Sequence, residues 1–268
     1  MNLVMLTMLL LPVTIFTAMM IAAGSGHRLA VRRLSRPNPD AAVGAGAIDA
    51  AALGLLGLLI AFWFSLAATH LDLRRSLIVE EANAIGTAWL RLDLLPADTR
   101  SSAQDQFRSY VDARLAQTSG PETNDQRAGL TTQLDDLRSG IWTTTVAAAP
   151  RCDSPQAAML LIAALNEMFD AATRHDASFN AHTPTAIVVL VAVVAVVASI
   201  LVGYDLGTHK RFEWLHMTLF AALVSSTMWV IYDLEMPRYG LIRVDDYDQT
   251  MREVREDFDR VPSPARSN

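Results

Sequence analysis

Few residues in this chain have the types and spacing that support chemistry. His209, Glu213 and His216 fall on one helical face and could ligate a metal in principle. They lie at the boundary of an apolar run, where such residues usually belong to the membrane interface. The acidic group DDYD at residues 245–248 lacks the Gly and the closing Glu of a calcium-binding EF-hand. We therefore expect no metal site and no cofactor.

The sequence also has no recognisable catalytic arrangement. Glu80 and Glu81 are adjacent, so they lie on different faces of a helix and do not form an acid/base pair. A nucleophile elbow, a P-loop, a GxGxxG segment and an HExxH segment are all missing from the sequence. We predict that the protein is not an enzyme. Its formal charge of −6 provides no basic footprint for nucleic acid.

Four apolar runs are long enough to cross a bilayer, which requires roughly 20 helical residues. The third run is rich in β-branched residues, but it is too long for a typical strand. The first run lacks the basic residues that begin a signal peptide, so we expect it to be retained. The runs are Leu3–Ala23, Ala50–Ala68, Thr185–Gly203 and Phe212–Tyr232.

The second run continues into a polar segment without Gly, Pro or turn residues, which predicts one unbroken helix. Pro96 ends this helix, and apolar residues at helical spacing predict further helices over 97–118 and 126–146. Ser154 and Pro155 have the types expected at the N-cap and first position of a fourth helix that ends near Asn180.

The sequence thus predicts an all-α integral membrane protein with four transmembrane helices and a soluble helical bundle inserted between helices 2 and 3. We expect a charged C-terminal tail with a disordered end. The predicted parts are 1–69 (helices 1 and 2), 70–184 (the bundle, continuous with helix 2), 185–232 (helices 3 and 4) and 233–268 (the tail).

One face of the second run carries small residues and then polar residues beyond the membrane. At 3.6 residues per turn an unbroken helix would keep them all on one side. Such a face either packs closely against another helix or lines water. Its small residues are Gly54, Gly57, Ala61, Ser65 and Ala68, and its polar extension contains Asp72, Arg75 and Asn83.

Three apolar residues flank this face at roughly one-turn intervals. Leu56, Ile60 and Phe64 could form a hydrophobic constriction if several copies surrounded a pore. Lipid contact or core packing would explain the same residues.

The segments HLDLRR, EEANAIGTAWLRLDLLP and QFRSYVDARL, with DLEMPRYGLIRVD in the tail, resemble a family of bacterial membrane proteins described as bestrophin-like. The resemblance covers most of residues 45–255. It implies four membrane helices, an inserted helical domain and distant kinship to pentameric anion channels whose pore is lined by the second helix. The chain differs from those channels because it lacks their aromatic-rich segment after the pore helix and a recognisable acidic calcium clasp.

Two functions remain open. The first is an oligomeric anion channel with helix 2 lining the pore, and the second is a non-conducting membrane protein whose helical domain binds a protein partner or ligand. We expect contact with the lipid bilayer, a homo-oligomer, and small anions as the conducted species. Arginine and lysine residues near the membrane number six on one side and five on the other, so charge does not decide the orientation. The resemblance implies an inner (plasma) membrane protein with the termini and the helical domain in the cytoplasm.

Overall fold

The computed structural model describes residues 3–34, 45–118, 124–180, 183–208, 214–236 and 245–260. Within these ranges every regular element is a helix, which confirms the predicted all-α class. The α-helices are α1 (Leu3–Leu34), α2 (Ala45–Arg91), α3 (Ala97–Thr118), α4 (Asn124–Ala148), α5 (Pro155–Asn180), α6 (Thr185–Thr208), α7 (Trp214–Glu235) and α8 (Asp245–Arg260).

Four of these helices, α1, α2, α6 and α7, are long and apolar enough to cross a membrane. The predicted unbroken helix is confirmed, because α2 contains 47 residues. At 1.5 Å per residue it is about 70 Å long, more than twice the hydrocarbon thickness of a bilayer. Only part of α2 can therefore lie in the membrane.

The helices form two compact units. Helices α1, α6, α7 and the part of α2 up to Leu71 form the first, which we call the membrane unit. The part of α2 from Asp72 onward forms the second with α3, α4, α5 and α8, and we call it the helical unit.

In the membrane unit, α1 and α6 pack closely because glycines lie at their contact. A Cβ atom on Gly26 would collide with the backbone oxygen of Ile200, and one on Gly203 with the backbone oxygen of Ala23. At Gly207 it would lie 2.6 Å from the Cβ atom of Ala30. Small residues of this kind allow membrane helices to approach backbone to backbone.

The helical unit has an apolar core to which spaced apolar residues of α3 and α4 contribute, although Leu115, Leu130 and Leu137 at the same spacing are only half-buried. Phe107, Tyr110 and Val111 of α3 are buried, as are Leu134 and Ile141 of α4. The predicted cap of α5 is also confirmed, since the Ala157 amide donates a hydrogen bond to Ser154 Oγ over 3.1 Å.

Helix α8 lies in the predicted charged tail and was not identified from the sequence. Its Phe258 is buried and stacks on Trp89 with ring centroids 4.1 Å apart. Arg255 of α8 donates hydrogen bonds to both carboxylate oxygens of Asp112, over 2.7 and 3.2 Å. One apolar face and one bidentate ion pair therefore attach this helix to the helical unit. Residues 261–268, the predicted disordered end, lie outside the described residues.

Candidate functional site

Most of the small-residue face of α2 is turned away from the rest of the membrane unit. Gly54, Gly57, Ala61 and Ser65 are exposed, and Ala68 is half-buried. Apart from the adjoining backbone of α2, no atom of the described residues lies within 4 Å of a Cβ position on Gly54 or Gly57. No other helix in the described part of the protomer thus packs against either glycine.

The opposite face of α2 is buried in the same unit. Leu56 is 2% exposed, Trp63 is 1% exposed and Ala67 is fully buried. Helix α2 therefore buries one face in the protomer and leaves Gly54 and Gly57 on the exposed side, which also carries Leu55, Leu58, Phe62 and Phe64. This is the reverse of a helix that uses its glycines to pack within its own chain, as α1 and α6 do.

The three predicted constriction residues are placed differently from one another. Phe64 is 49% exposed and Ile60 is half-buried, whereas Leu56 belongs to the buried face. Leu56 and Phe64 are eight positions apart, which rotates them by about 80° around a helix. Leu56 therefore does not share the exposed face with Phe64, and only Phe64 and Ile60 border the small residues.

In the helical unit, the polar residues predicted on the same face of α2 are mostly exposed. Asn83 is exposed, and the side chain of Asp72 is 79% exposed. Arg75 is less accessible, with 33% of its side chain exposed, and its Nη1 lies 3.8 Å from Asp72 Oδ1. The carboxylate of Asp72 thus offsets part of the positive charge that Arg75 brings to this face.

A buried ionic cluster that sequence reasoning missed connects α2, α3 and α5 in the helical unit. Glu81 of α2 is fully buried, and Arg114 of α3 is 2% exposed. Arg114 donates hydrogen bonds from Nε to Glu81 Oε1 over 2.6 Å and from Nη2 to Oε2 over 3.1 Å. Its Nη1 also donates to Asp176 Oδ1 of α5 over 2.8 Å. Two helices thus place acids around one buried guanidinium.

His175 of α5 completes the cluster. Its Nδ1 makes a close contact with Glu81 Oε2 and lies 3.3 Å from Arg114 Nη2. A proton on Nδ1 lets the ring donate to the carboxylate, while Arg114 Nη2 donates to Glu81 Oε2 and to the Ala172 oxygen over 3.2 Å. Nε2 of the same ring is buried and has no hydrogen-bond partner among the described residues.

The charges of the cluster stabilise one another. Burial alone would raise the pKa of Glu81, but the hydrogen bond with His175 and the charge and hydrogen bonds of Arg114 lower it below its usual value. Burial alone would lower the pKa of Arg114, and the charges of Glu81 and Asp176 raise it instead. Glu81 is therefore an anion and Arg114 a cation at neutral pH. Glu81 is about 20 Å along the helix from Ala68, outside the apolar run.

The sequence held one signal for this cluster. Trp63 and Glu81 are eighteen positions apart, five full turns of an ideal helix, so Glu81 continues the buried face of α2. Its neighbour Glu80 is exposed and pairs with Arg174 over 2.6 Å. The two glutamates therefore have separate roles, as their adjacent positions predicted.

The membrane unit also has buried acids, of which Glu235 has hydrogen-bond partners from other segments. Glu235 of α7 accepts a hydrogen bond from Thr183 Oγ1 over 2.6 Å, and its Oε1 lies 3.2 Å from His70 Nδ1. It borders a cavity of about 270 Å³ together with Trp63 and Tyr232. The carboxylate thereby fixes the segment before α6 to the end of α7.

The remaining candidates from the sequence give no assembled site. His209 and Glu213 lie outside the described residues, and His216 lies in the first turn of α7. Asp245, Asp246 and Asp248 form the first turn of α8. Among the part of the chain that the structure describes, no three His, Cys, Asp or Glu side chains are grouped as metal ligands would be.

Known proteins similar to this chain are identified at the level of a family. No curated protein and no solved structure matches the chain. The model of a family described as the bestrophin-like domain matches residues 13–247, which is most of the sequence. Together with the four helices that can span a membrane, this match establishes that the chain is a membrane protein belonging to the bestrophin-like family.

Proposed function

We propose that the protein is an oligomeric anion channel in which α2 lines the pore. The observation that supports this most directly is the outward small-residue face of α2, where no described atom beyond the helix's own backbone lies within 4 Å of a Cβ on Gly54 or Gly57. A face of this kind is suited to close helix contact or to lining water rather than to contact with lipid. Since the face points away from its own protomer, further copies must complete the path.

In this proposal the narrowest part of the path is apolar. Phe64 borders the small-residue face and is 49% exposed, and Ile60 lies one turn before it. A ring of such side chains resists wetting and so limits ion passage. Leu56 takes no part, because it is buried within the protomer.

The polar end of the face sets the preference for anions in this proposal. Arg75 attracts anions, and Asp72, with its Oδ1 3.8 Å from the arginine, opposes it. The buried cluster of Glu81, Arg114 and His175 holds α2 against α3 and α5, and we assign it no catalytic step. The chain is therefore proposed to be a conductor and not an enzyme.

Chloride flux from vesicles containing the purified protein tests the proposal. Phe64→Ala should raise the flux, because a shorter side chain lowers the barrier to wetting. Phe62→Ala is the matched control, since Phe62 is also exposed but lies about 160° around the helix from Phe64. Flux no greater than from empty vesicles, for the wild type and both variants, would reject conduction and favour a protein that binds a partner through its helical domain.

Ion selectivity tests the role of the polar end. Arg75→Glu should lower the preference for chloride over cations, and Asp72→Asn should raise it, because the two changes shift the local charge in opposite directions. Arg127→Glu is the control for Arg75→Glu, because it makes the same change of charge at an exposed position on α4 and not on α2. It should leave selectivity unchanged.

We also propose that the protein lies in the plasma (inner) membrane with both termini and the helical unit in the cytoplasm. This orientation is supported by kinship to the bestrophin-like family alone, since the charge bias is six against five. A reporter that functions only in the cytoplasm should therefore be active when it is fused after Asn268. Activity of a reporter that functions only outside the cytoplasm would reverse the orientation.

A further inference from the structure

One exposed face of α1 changes from apolar to cationic along the helix. Viewed down the helix axis, the residues of this face lie within about 120° of one another. The opposite face is packed inside the membrane unit, where Met19, Ala23 and Ala30 are fully buried. The exposed face contains Leu10, Val13, Thr17, Ile21, Ser25, Arg28 and Arg32.

The first part of this face is suited to hydrocarbon. Ile21 is 65% exposed and Val13 is 57% exposed. The two hydroxyl groups on the face turn back to the helix, because Thr17 Oγ1 donates to the Val13 oxygen over 2.7 Å and Ser25 Oγ to the Ile21 oxygen over 2.8 Å. Neither hydroxyl proton is then left unsatisfied in lipid.

The last part of the face is cationic. Arg28 and Arg32 are one turn apart and exposed, and neither has an ion-pair partner among the residues that the structure describes. Arg28 follows Ile21 by seven residues, about 10 Å along the helix. In the helical unit, by contrast, Arg114, Arg174 and Arg255 each contact a carboxylate.

We propose that Arg28 and Arg32 bind the phosphate of an anionic phospholipid whose acyl chains lie along the Ile21 part of the same face. The planar guanidinium group is matched to phosphate oxygens and can bind them through two hydrogen bonds. An apolar surface directly below the two charges distinguishes a lipid from a soluble phosphate. The site is independent of the proposed pore, because it is on α1 and not on α2.

Lipid binding to the purified full-length protein in detergent tests this proposal. The probes are short-chain phosphatidylglycerol and phosphatidylcholine with the same acyl chains, and glycerol phosphate represents the head group alone. Affinity for phosphatidylglycerol should exceed that for the other two probes. In the double variant Arg28→Gln, Arg32→Gln it should fall by about fivefold for each arginine removed, as expected for a charge at a lipid surface.

Arg33→Gln is the matched control. It removes one charge, as Arg32→Gln does alone, but from a different face about 100° from Arg32, so it should leave the affinity nearly unchanged where Arg32→Gln lowers it about fivefold. The pair Arg28→Lys, Arg32→Lys keeps the charge without the planar group and should retain part of the binding. Thermal unfolding without lipid should be the same for every variant, because all three arginines are exposed.

Three results would overturn the proposal. Equal binding of phosphatidylcholine or of glycerol phosphate would show that the site is not specific for an anionic lipid. An equal loss in Arg33→Gln would reduce the effect to general surface charge. A changed subunit count in the double variant would assign this face to contact between copies. None of these measurements depends on ion flux.

Discussion

At the scale of residues, the helical unit depends on a few buried charges. Glu81 and Arg114 are almost inaccessible to solvent and neutralise each other through two hydrogen bonds. Removing one member of such a pair leaves the other charge buried without compensation, which costs far more than the pair contributes when intact. Because Glu81 lies on the buried face of α2, its charge requires a buried partner of opposite charge, which Arg114 provides.

Glu81→Gln should therefore destabilise the protein by about 3 kcal/mol or more. The amide can keep one hydrogen bond, but it leaves the charge of Arg114 opposed only by the half-exposed Asp176. Thermal unfolding in detergent measures the effect. Glu80→Gln is the control and should change stability by less than about 1 kcal/mol, because Glu80 is exposed. Equal effects of the two substitutions would contradict this role for the cluster.

The same carboxylate predicts how stability depends on pH. The pKa of Glu81 is lower in the folded protein than its usual value of 4.5, so folding favours the charged form. Its contribution is fully present above pH 4.5 and is lost as the pH falls through the lower folded-state pKa. The difference in stability between wild type and Glu81→Gln should therefore shrink as the pH is lowered from 7 to 3. A constant difference would mean that Glu81 does not titrate as a charged group.

At the scale of helices, glycines have two different uses. Gly26, Gly203 and Gly207 allow α1 and α6 to touch, whereas Gly54 and Gly57 of α2 face open space in the protomer. The two groups are indistinguishable by residue type and are separated only by what lies beside them. Helix α8 shows the same dependence on neighbours, because its charged sequence conceals Phe258, which stacks on Trp89.

Gly203→Ala should disrupt the packing of α1 against α6, because the added methyl group would overlap the backbone of Ala23. A backbone atom cannot move aside as the end of a side chain can, so we expect a loss of about 1–3 kcal/mol. The melting temperature of the purified protein measures it. Gly54→Ala adds the same methyl group where nothing lies within 4 Å and should leave the protomer at least as stable. A stable Gly203→Ala variant would show that α1 and α6 are less closely packed.

At the scale of the whole molecule, the exposed small-residue face of α2 is the basis for the proposed assembly. The membrane unit buries one side of α2 and leaves its smallest residues uncovered. Close approach of a second copy would use the space at the glycines and remove the exposed face from lipid. Assembly and conduction are separate properties, so the subunit count can support one without the other.

Gly57→Leu should reduce the subunit count, because a large side chain fills the space that a neighbouring helix would occupy. Light scattering of the purified protein in detergent measures the count. Gly24→Leu is the matched control, since Gly24 of α1 also has no atom within 4 Å of its Cβ position but is not on α2. An unchanged count in Gly57→Leu would exclude this face from the assembly contact.

The sequence by itself determined the class of the protein and most of its helices. Apolar runs of membrane-spanning length predicted the four spans, and the absence of Gly, Pro and turn residues at the junction between the second run and the polar segment predicted the long α2. Apolar residues at helical spacing predicted α3 and α4, and the Ser154-Pro155 pair predicted the start of α5. These are local signals, because hydrophobic length, periodicity and capping act within one segment.

Only the tertiary structure decided which side of each helix is covered and which charges meet. Glu81 is 33 positions from Arg114 and 94 positions from His175 along the chain. Spacing within one helix contains no information about partners on another helix. The same limit explains why Leu56 could be grouped with Phe64 before the buried face of α2 was known. It also explains why α8 was missed, since Phe258 is recognised as a core residue only by its packing against Trp89 and Phe107. Pairing between distant segments is a property of the packed chain and is not encoded in the periodicity of any one helix.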